Sequence, residues 1–226
     1  PTQKYHVPAK SELQEALAKV DASQVVIDGD QVSLGTNQEM DLGGIAKGYT
    51  SARVMEIFRE YGITSGMVSL GGNVQTLNTR PDGKPWQIGI QNPNGQQGSL
   101  LAVLSVENKA VITSGGYERY FEEDGNTYIH ILNPKTGYPA DSGLVSVSVI
   151  SENGMLADAL STSLYLMGEE QAAEYWRTHA DEFDMILETE DGTLYITEGI
   201  SQETDTATPA TSQTIPETTT EPEPEK

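Results

Sequence analysis

Apolar and polar positions alternate between helical and extended spacing along most of the chain, and the pattern fades near residue 200. Leu13, Ala16, Leu17 and Val20 recur at helical spacing behind Ser11 and Gln14, a capping-box pair, so a first helix is predicted over 11–20. Extended runs at 24–27 and 31–34 flank the polar Asp28-Gly29-Asp30 and read as a hairpin. A second helix is predicted over 46–61, with Val54, Ile57, Phe58 and Tyr61 inward. Strands are predicted at 67–70, 86–91, 100–106, 110–113, 127–132 and 144–150, with turns at Asp82-Gly83 and Asp124-Gly125. Helices over 155–167 and 170–179, then strands at 185–188 and 193–197 across Asp191-Gly192, complete an α+β pattern rich in antiparallel hairpins.

Beyond residue 200 the chain is built from Thr, Glu, Pro and Ser and has little to bury against the entropy of ordering. Residues 1–200 are therefore expected to form one folded unit and 201–226 a disordered acidic tail. The formal charge of −21, from 34 acidic and 13 basic residues, repels phosphate backbones and anionic membrane surfaces, so nucleic acid is excluded as a partner. Any phosphate-bearing ligand must then be held by local devices: backbone N–H groups, a metal ion or a single lysine. With no cysteine the chain has no disulfide, thiolate ligand or thiol nucleophile, which suits an oxidising compartment. No run approaches the roughly 18 apolar residues of a membrane span.

Four segments carry candidate chemistry. Asp41-Leu42-Gly43-Gly44-Ile45-Ala46-Lys47-Gly48-Tyr49 is a glycine-rich turn opening a helix. Such a turn brings bare backbone and free N–H groups to an anion, with Lys47 adding a charge, although a strand-to-helix turn packed on glycines reads the same way. Ser69-Leu70-Gly71-Gly72-Asn73 ends an apolar strand, either as a ligand-facing edge or as an ordinary Gly-Gly turn. Thr113-Ser114-Gly115-Gly116-Tyr117-Glu118-Arg119 leads through the Asp124-Gly125 hairpin to Tyr128, His130 and Leu132, which alternation places on one strand face. Of the three histidines only His130 lies in a dense polar and glycine run, so it is the candidate general base. The turn Asn133-Pro134-Lys135-Thr136-Gly137 would hold that strand end rigidly. Finally, Asp158 and Thr162 share a face of an apolar helix, with Ser161 beside them. These are hard oxygen donors suited to magnesium or calcium, or else a carboxylate that caps its own helix.

In this order the four segments resemble the ApbE family of FAD:protein FMN transferases, with the similarity running from about Pro8 to Ile200. The resemblance implies an ApbE-like, T-fold-like α+β domain of mixed, largely antiparallel sheets packed with helices. It implies a flavin site formed by Asp41, Gly44, Lys47, Gly71, Gly72, Asn73, Thr113, Ser114, Gly115, His130 and Leu132. It also implies a magnesium site at the Gly44 carbonyl, Asp158, Ser161 and Thr162, with His130 and Asp158 catalytic. The implied reaction is transfer of FMN from FAD to a threonine hydroxyl of an acceptor protein, such as a membrane redox-complex subunit or an extracellular flavoprotein, with release of AMP. The alternatives are a non-catalytic FAD-binding protein and an FAD pyrophosphatase that yields FMN and AMP. Family members are exported and lipid-anchored or periplasmic, so an extracytoplasmic, membrane-anchored setting is expected. They also carry roughly a hundred further residues ahead of the point where this chain starts, about the size of a domain, so an N-terminally incomplete domain is expected.

Overall fold

A computed structural model of the chain describes residues 5–96, 98–200, 204–205 and 212–217. In chain order these form helix α1 (Lys10–Leu17), strands β1 (Val26–Asp28) and β2 (Gln31–Ser33), helix α2 (Ala46–Glu60), and the strand pairs β3 (Gly66–Leu70)/β4 (Asn73–Leu77) and β5 (Trp86–Gln91)/β6 (Leu100–Val106). After β7 (Ala110–Gly115) come β8 (Tyr120–Glu123), β9 (Asn126–Ile129) and β10 (Leu144–Ser151). Helices α3 (Gly154–Met167) and α4 (Glu169–Arg177) then lead to β11 (Asp184–Thr189), β12 (Leu194–Thr197), β13 (Thr204–Asp205) and β14 (Ser212–Ile215). Where the sequence pattern suggests one folded unit, the chain divides into two, one built from 1–42 and 116–141, the other from 43–115 and 142–226.

The smaller unit is made of local pieces. Its α1 buries none of its side chains, and the helix begins earlier than the capping-box reading places it. The Glu12 carboxylate accepts the Ala9 N–H at 2.8 Å, so Glu12 and not Gln14 closes the first turn. β1 and β2 pair antiparallel across Gly29-Asp30, with Gly29 at φ 58 in the left-handed region that a tight hairpin requires. β8 and β9 pair antiparallel across Asp124-Gly125, and the cross-strand Phe121 and Tyr128 rings stack with centroids 5.1 Å apart. Tyr5 adds a third ring 5.5 Å from Phe121.

The larger unit is layered. A seven-stranded sheet runs in the order β14-β12-β11-β10-β7-β4-β3, antiparallel except where β14 joins β12 in parallel. Helices α2 and α3 pack on one of its faces. The other face packs on the sheet β13-β6-β5: Ile88, Ile90, Leu101 and Leu104 meet Val111, Ile150, Ile186 and Ile196 in one apolar cluster. Because both faces are covered, β10 and β11 are buried along nearly their whole length. Alternation sorts their residues. Val147, Val149, Met185 and Leu187 lie on one face, while Ser146, Ser148, Ile150, Ile186 and Glu188 lie on the other.

The structure also differs from the sequence reading at α2, at two strands and within the expected tail. The inward face of α2 is Gly48, Ser51 and Met55, whereas Tyr61 is 80% exposed and Ile57 is also exposed. Small residues seat this helix, and a pattern read from bulky ones misses its face. Strands β4 and β8 escape the hydrophobic pattern because polar residues interrupt them, as in Asn73-Val74-Gln75-Thr76 and Tyr120-Phe121-Glu122-Glu123. Within the expected tail, Ser212–Ile215 pairs with the edge of β12 and buries Ile215, and Thr204–Asp205 pairs with β6. Backbone pairing to an open edge requires little of side-chain composition. The rest of the expected tail, 201–203, 206–211 and 218–226, lies outside the described residues. No helix among the described residues is long and apolar enough to cross a membrane.

Glu188 is the costly feature of the sandwich core. It is 3% exposed, and its oxygens accept from Asn94 Nδ2 and Ser146 Oγ, each at 3.1 Å, so its partners are neutral. Burial pushes its carboxyl up from the ordinary glutamate range, and the two hydrogen bonds offset this only in part. Folding thus favours the protonated form, and stability is lost as pH rises through the ordinary range and past the raised value. Glu188→Gln keeps the shape and removes the charge. It is expected to raise Tm at pH 8 by about 2–4 °C, the scale of roughly 1 kcal/mol in a chain of this size, and by less at pH 4.5. Thermal melts at both pH values check this; an equal or lower Tm at pH 8 would count against it.

Candidate functional site

The start of α2 and the start of β4 converge on one carboxylate of α3 in the larger unit, and the end of β7 meets α3 one helical turn along. Asp158 is 4% exposed. Its Oδ2 accepts the Gly48 N–H at 2.8 Å and its Oδ1 accepts Asn73 Nδ2 at 3.0 Å. Gly48 is the third residue of α2, whose N-cap residue Ile45 offers no side-chain cap. Asp158 therefore caps a helix, but α2 and not its own; Asn153 caps α3 through the Met155 and Leu156 N–H groups. The end of the α2 dipole favours the negative charge there. No basic side chain among the described residues forms an ion pair with Asp158. An ionised carboxylate offers about four lone-pair directions, and two remain after these bonds.

Three hydroxyls sit one helical turn along. Ser114 Oγ lies 2.8 Å from Ser161 Oγ and 3.1 Å from Thr162 Oγ1, while Ser161 Oγ donates to the Asp158 carbonyl at 2.9 Å. Each hydroxyl has a single hydrogen, and this fixes the order. Ser161 gives its proton to the Asp158 carbonyl, Ser114 therefore donates to Ser161, and Thr162 donates to Ser114. Thr162 is left with both lone pairs free to meet a cation. Among the described residues no three histidine or acidic side chains cluster as a metal cage. A cation here would rest on one carboxylate and neutral oxygens, a donor set that suits magnesium, which keeps several waters.

The other nominated residues of this unit separate by sheet face. Thr113 turns to the sandwich side, where its hydroxyl lies 2.7 Å from Ser148 Oγ, so it does not join Ser114. Gly71 and Gly72, at φ 58 and 93, form the two-residue loop between β3 and β4; a hairpin turn with two left-handed positions accounts for both glycines. Gly115 ends β7, opposite Ser146. Gly44 lies in the turn before α2, and a Cβ there would meet nothing within 4 Å. Lys47 lies in the first turn of α2, where a cation opposes the helix dipole by roughly 0.3–1 kcal/mol. It forms no ion pair among the described residues.

Asp41, His130 and Leu132 belong to the smaller unit. β9 stops at Ile129, so His130 is not on a strand, and Ile131 is the buried residue between exposed His130 and Leu132. Leu132 instead forms an isolated bridge with Pro139. The Arg119 carbonyl ends the strand: it accepts the His130 backbone N–H at 3.1 Å and lies 3.2 Å from Nδ1. A carbonyl only accepts, so this contact assigns the proton to Nδ1 and leaves the Nε2 lone pair outward. The turn after it is tied down as expected. Asn133 accepts the Thr136 and Gly137 N–H groups on its carbonyl and the Lys135 N–H on its side chain.

Sequence reasoning met Gly48 only as one glycine of the turn before α2, and it missed Ser51 and Gln75. Ser51 Oγ contacts the Gly48 carbonyl at 3.0 Å and Gln75 Oε1 at 2.7 Å, bracing the α2 start from β4. The available signal was a glycine inside a helix, which costs about 1 kcal/mol relative to alanine and so calls for a packing reason. A Cβ at Gly48 would come within 2.2 Å of the Gly154 carbonyl oxygen and 2.6 Å of Asp158 Cβ. Gly48→Ala is accordingly expected to lose about 1–3 kcal/mol despite better helix propensity, a fall of several degrees in Tm. A thermal melt in which the variant matched or exceeded the wild type would show that α2 and α3 do not depend on this contact.

The ApbE family model matches residues 1–187. The FAD:protein FMN transferase of Klebsiella pneumoniae is 37% identical over 180 residues, 78% of this chain and 55% of that protein. The Vibrio cholerae protein of the same name is 35% identical over 187 residues, 82% of this chain and 56% of that protein. The chain thus spans about half the length of the curated relatives it matches. Among solved structures, the ApbE protein of Thermotoga maritima superposes with a TM-score of 0.80 at 34% identity, covering 88% of this chain and 65% of that one. The flavin transferase ApbE from Vibrio cholerae gives 0.78 at 30% identity, covering 89% and 65%.

Proposed function

Since this chain belongs to the ApbE family, we propose that the protein transfers FMN from FAD to a threonine hydroxyl of an acceptor protein and releases AMP. The observation that carries the reading is the buried Asp158, an anion with two neutral donors, no cationic partner among the described residues, and hydroxyls beside it. Asp158, Ser161, Thr162 and the Gly44 carbonyl would hold magnesium, which when bound neutralises charge on the pyrophosphate. In the transfer the threonine oxygen forms a bond to the FMN phosphorus, the bond from that phosphorus to the bridging oxygen breaks, and AMP leaves with its electron pair. His130 takes the threonine proton on Nε2, the nitrogen left open by the Arg119 carbonyl. Lys47 and the first N–H groups of α2 face the anionic substrate. An extracytoplasmic, membrane-anchored setting belongs to the same proposal and rests on the absence of cysteine and the family resemblance.

The test incubates the complete protein with magnesium, FAD and an acceptor bearing a reactive threonine, following covalent flavin by fluorescence on a denaturing gel and AMP by chromatography. Labelled acceptor with stoichiometric AMP is the expected result. AMP with free FMN would make the protein a pyrophosphatase, and bound FAD without turnover would make it a carrier. His130→Ala is expected to slow labelling on the order of a hundredfold while FAD binding survives, and an unchanged rate would remove His130 from the mechanism. Lys47→Ala is expected to weaken FAD binding without lowering Tm; equilibrium dialysis showing wild-type affinity would move the phosphate contact elsewhere.

A further inference from the structure

We propose that Asn73 is a positioning residue for Asp158 and makes no contact with the flavin substrate. The proposal rests on the reading of Asp158 as a metal ligand. Asn73 is the first residue of β4, placed directly after the Gly71-Gly72 turn and paired with Leu70 across the hairpin. Alternation sends its side chain and that of Gln75 to the helix side of the sheet, and both are buried. Its amide donates to Asp158 Oδ1 while the Gly48 amide donates to Oδ2. A carboxylate on a terminal sp² torsion otherwise turns through a broad, two-fold range, and one donor on each oxygen removes that freedom. The chemistry of the donor matters as much as its place. Lysine or arginine there would neutralise Asp158, whereas the neutral amide orients it and leaves its charge for a cation. Gln75 supplies an internal control: it lies two residues along the same strand face and is equally enclosed, but it contacts Ser51 and not the carboxylate.

The experiment titrates magnesium chloride into the full chain with FAD present, by calorimetry, for the wild type, Asn73→Leu, Gln75→Leu and Asp158→Ala, with a thermal melt of each. Asn73→Leu is expected to lower magnesium affinity about 10–100-fold, the usual scale for losing a partner of a metal ligand. Its kcat for transfer should fall while KM for FAD stays near the wild-type value. Gln75→Leu is expected to lower Tm yet hold magnesium affinity within about twofold. Should Asn73→Leu not fold, Asn73→Ser, too short to reach Oδ1, takes its place. Wild-type magnesium affinity in the Asn73 variant, or an equal loss in Gln75→Leu, would overturn the proposal while Asp158→Ala still abolished binding. If the wild type took up no magnesium, the metal reading itself would fall, and the role of Asn73 with it.

Discussion

The larger unit is organised around one buried negative charge. Asp158 sits in the middle of an apolar helix, where an unpaired carboxylate costs several kcal/mol unless donors surround it. The chain supplies them from distant segments: Gly48 lies 110 residues away in sequence and Asn73 lies 85 away. Once those bonds form, the start of α2, the first residue of β4 and the middle of α3 are fixed to within hydrogen-bond tolerance. The glycine at position 48 follows from the same constraint, because only a residue without a side chain brings the α2 amide up to the α3 backbone. A single electrostatic demand thus dictates both the polar residues at the interface and the small ones.

The sheet converts that demand into separate layers. Alternation sends Asn73, Gln75 and Ser114 to the helix side and Val74, Val111 and Thr113 to the sandwich side, so neighbouring residues take part in different chemistry. Thr113 and Ser114 make the point most directly. They are adjacent and chemically alike, yet one closes a cross-strand pair with Ser148 while the other joins the hydroxyl chain to Thr162. The sandwich side has its own buried carboxylate, Glu188, also held by neutral donors. The difference is what stands beside it. Asp158 has a helix N-terminus and three hydroxyls with spare lone pairs, whereas the hydrogen bonds of Glu188 come from one amide and one hydroxyl and its burial raises its proton affinity.

Much of this was legible in the sequence, and the parts that were not share a cause. Helix α2 was placed to within a residue because a glycine-rich turn precedes its periodic stretch, and the α+β class followed from the hairpin turns. Asp158, Ser161 and Thr162 were nominated from donor type and helical spacing and Ser114 from the family resemblance, and the fold brings the three hydroxyls together beside the Asp158 carbonyl. What failed was inference from side-chain bulk. The face of α2 was assigned to Val54, Ile57, Phe58 and Tyr61 because size dominates a hydrophobic pattern; Val54 and Phe58 are half-buried, but Ile57 and Tyr61 are exposed and the closest helix packing uses Gly48 and Ser51. Strand β4 was invisible for the same reason, since its inward positions are amides. His130 was found by composition, yet its setting was misread: the strand expected to run to Leu132 ends at Ile129, and the Arg119 carbonyl, not alternation, orients the ring.

A chain with a formal charge of −21 has to place any attraction for an anion locally, because its overall field repels it. The larger unit shows how little is needed. Lys47 stands in the first turn of α2, a position where the helix dipole disfavours a cation. Retaining it there against that penalty makes sense when an anion occupies the space ahead, since the ligand then restores a favourable sign to both the lysine and the helix end. Asp158 contributes the opposite charge at the same helix start, through its bond to the Gly48 amide, and it would repel an anion there unless a cation lay between them. The proposed reading reconciles the two charges in a three-part arrangement of carboxylate, metal and phosphate, with the lysine on the phosphate side. Without a cation, the buried aspartate would work against the anionic ligand proposed for the lysine and the helix N-terminus.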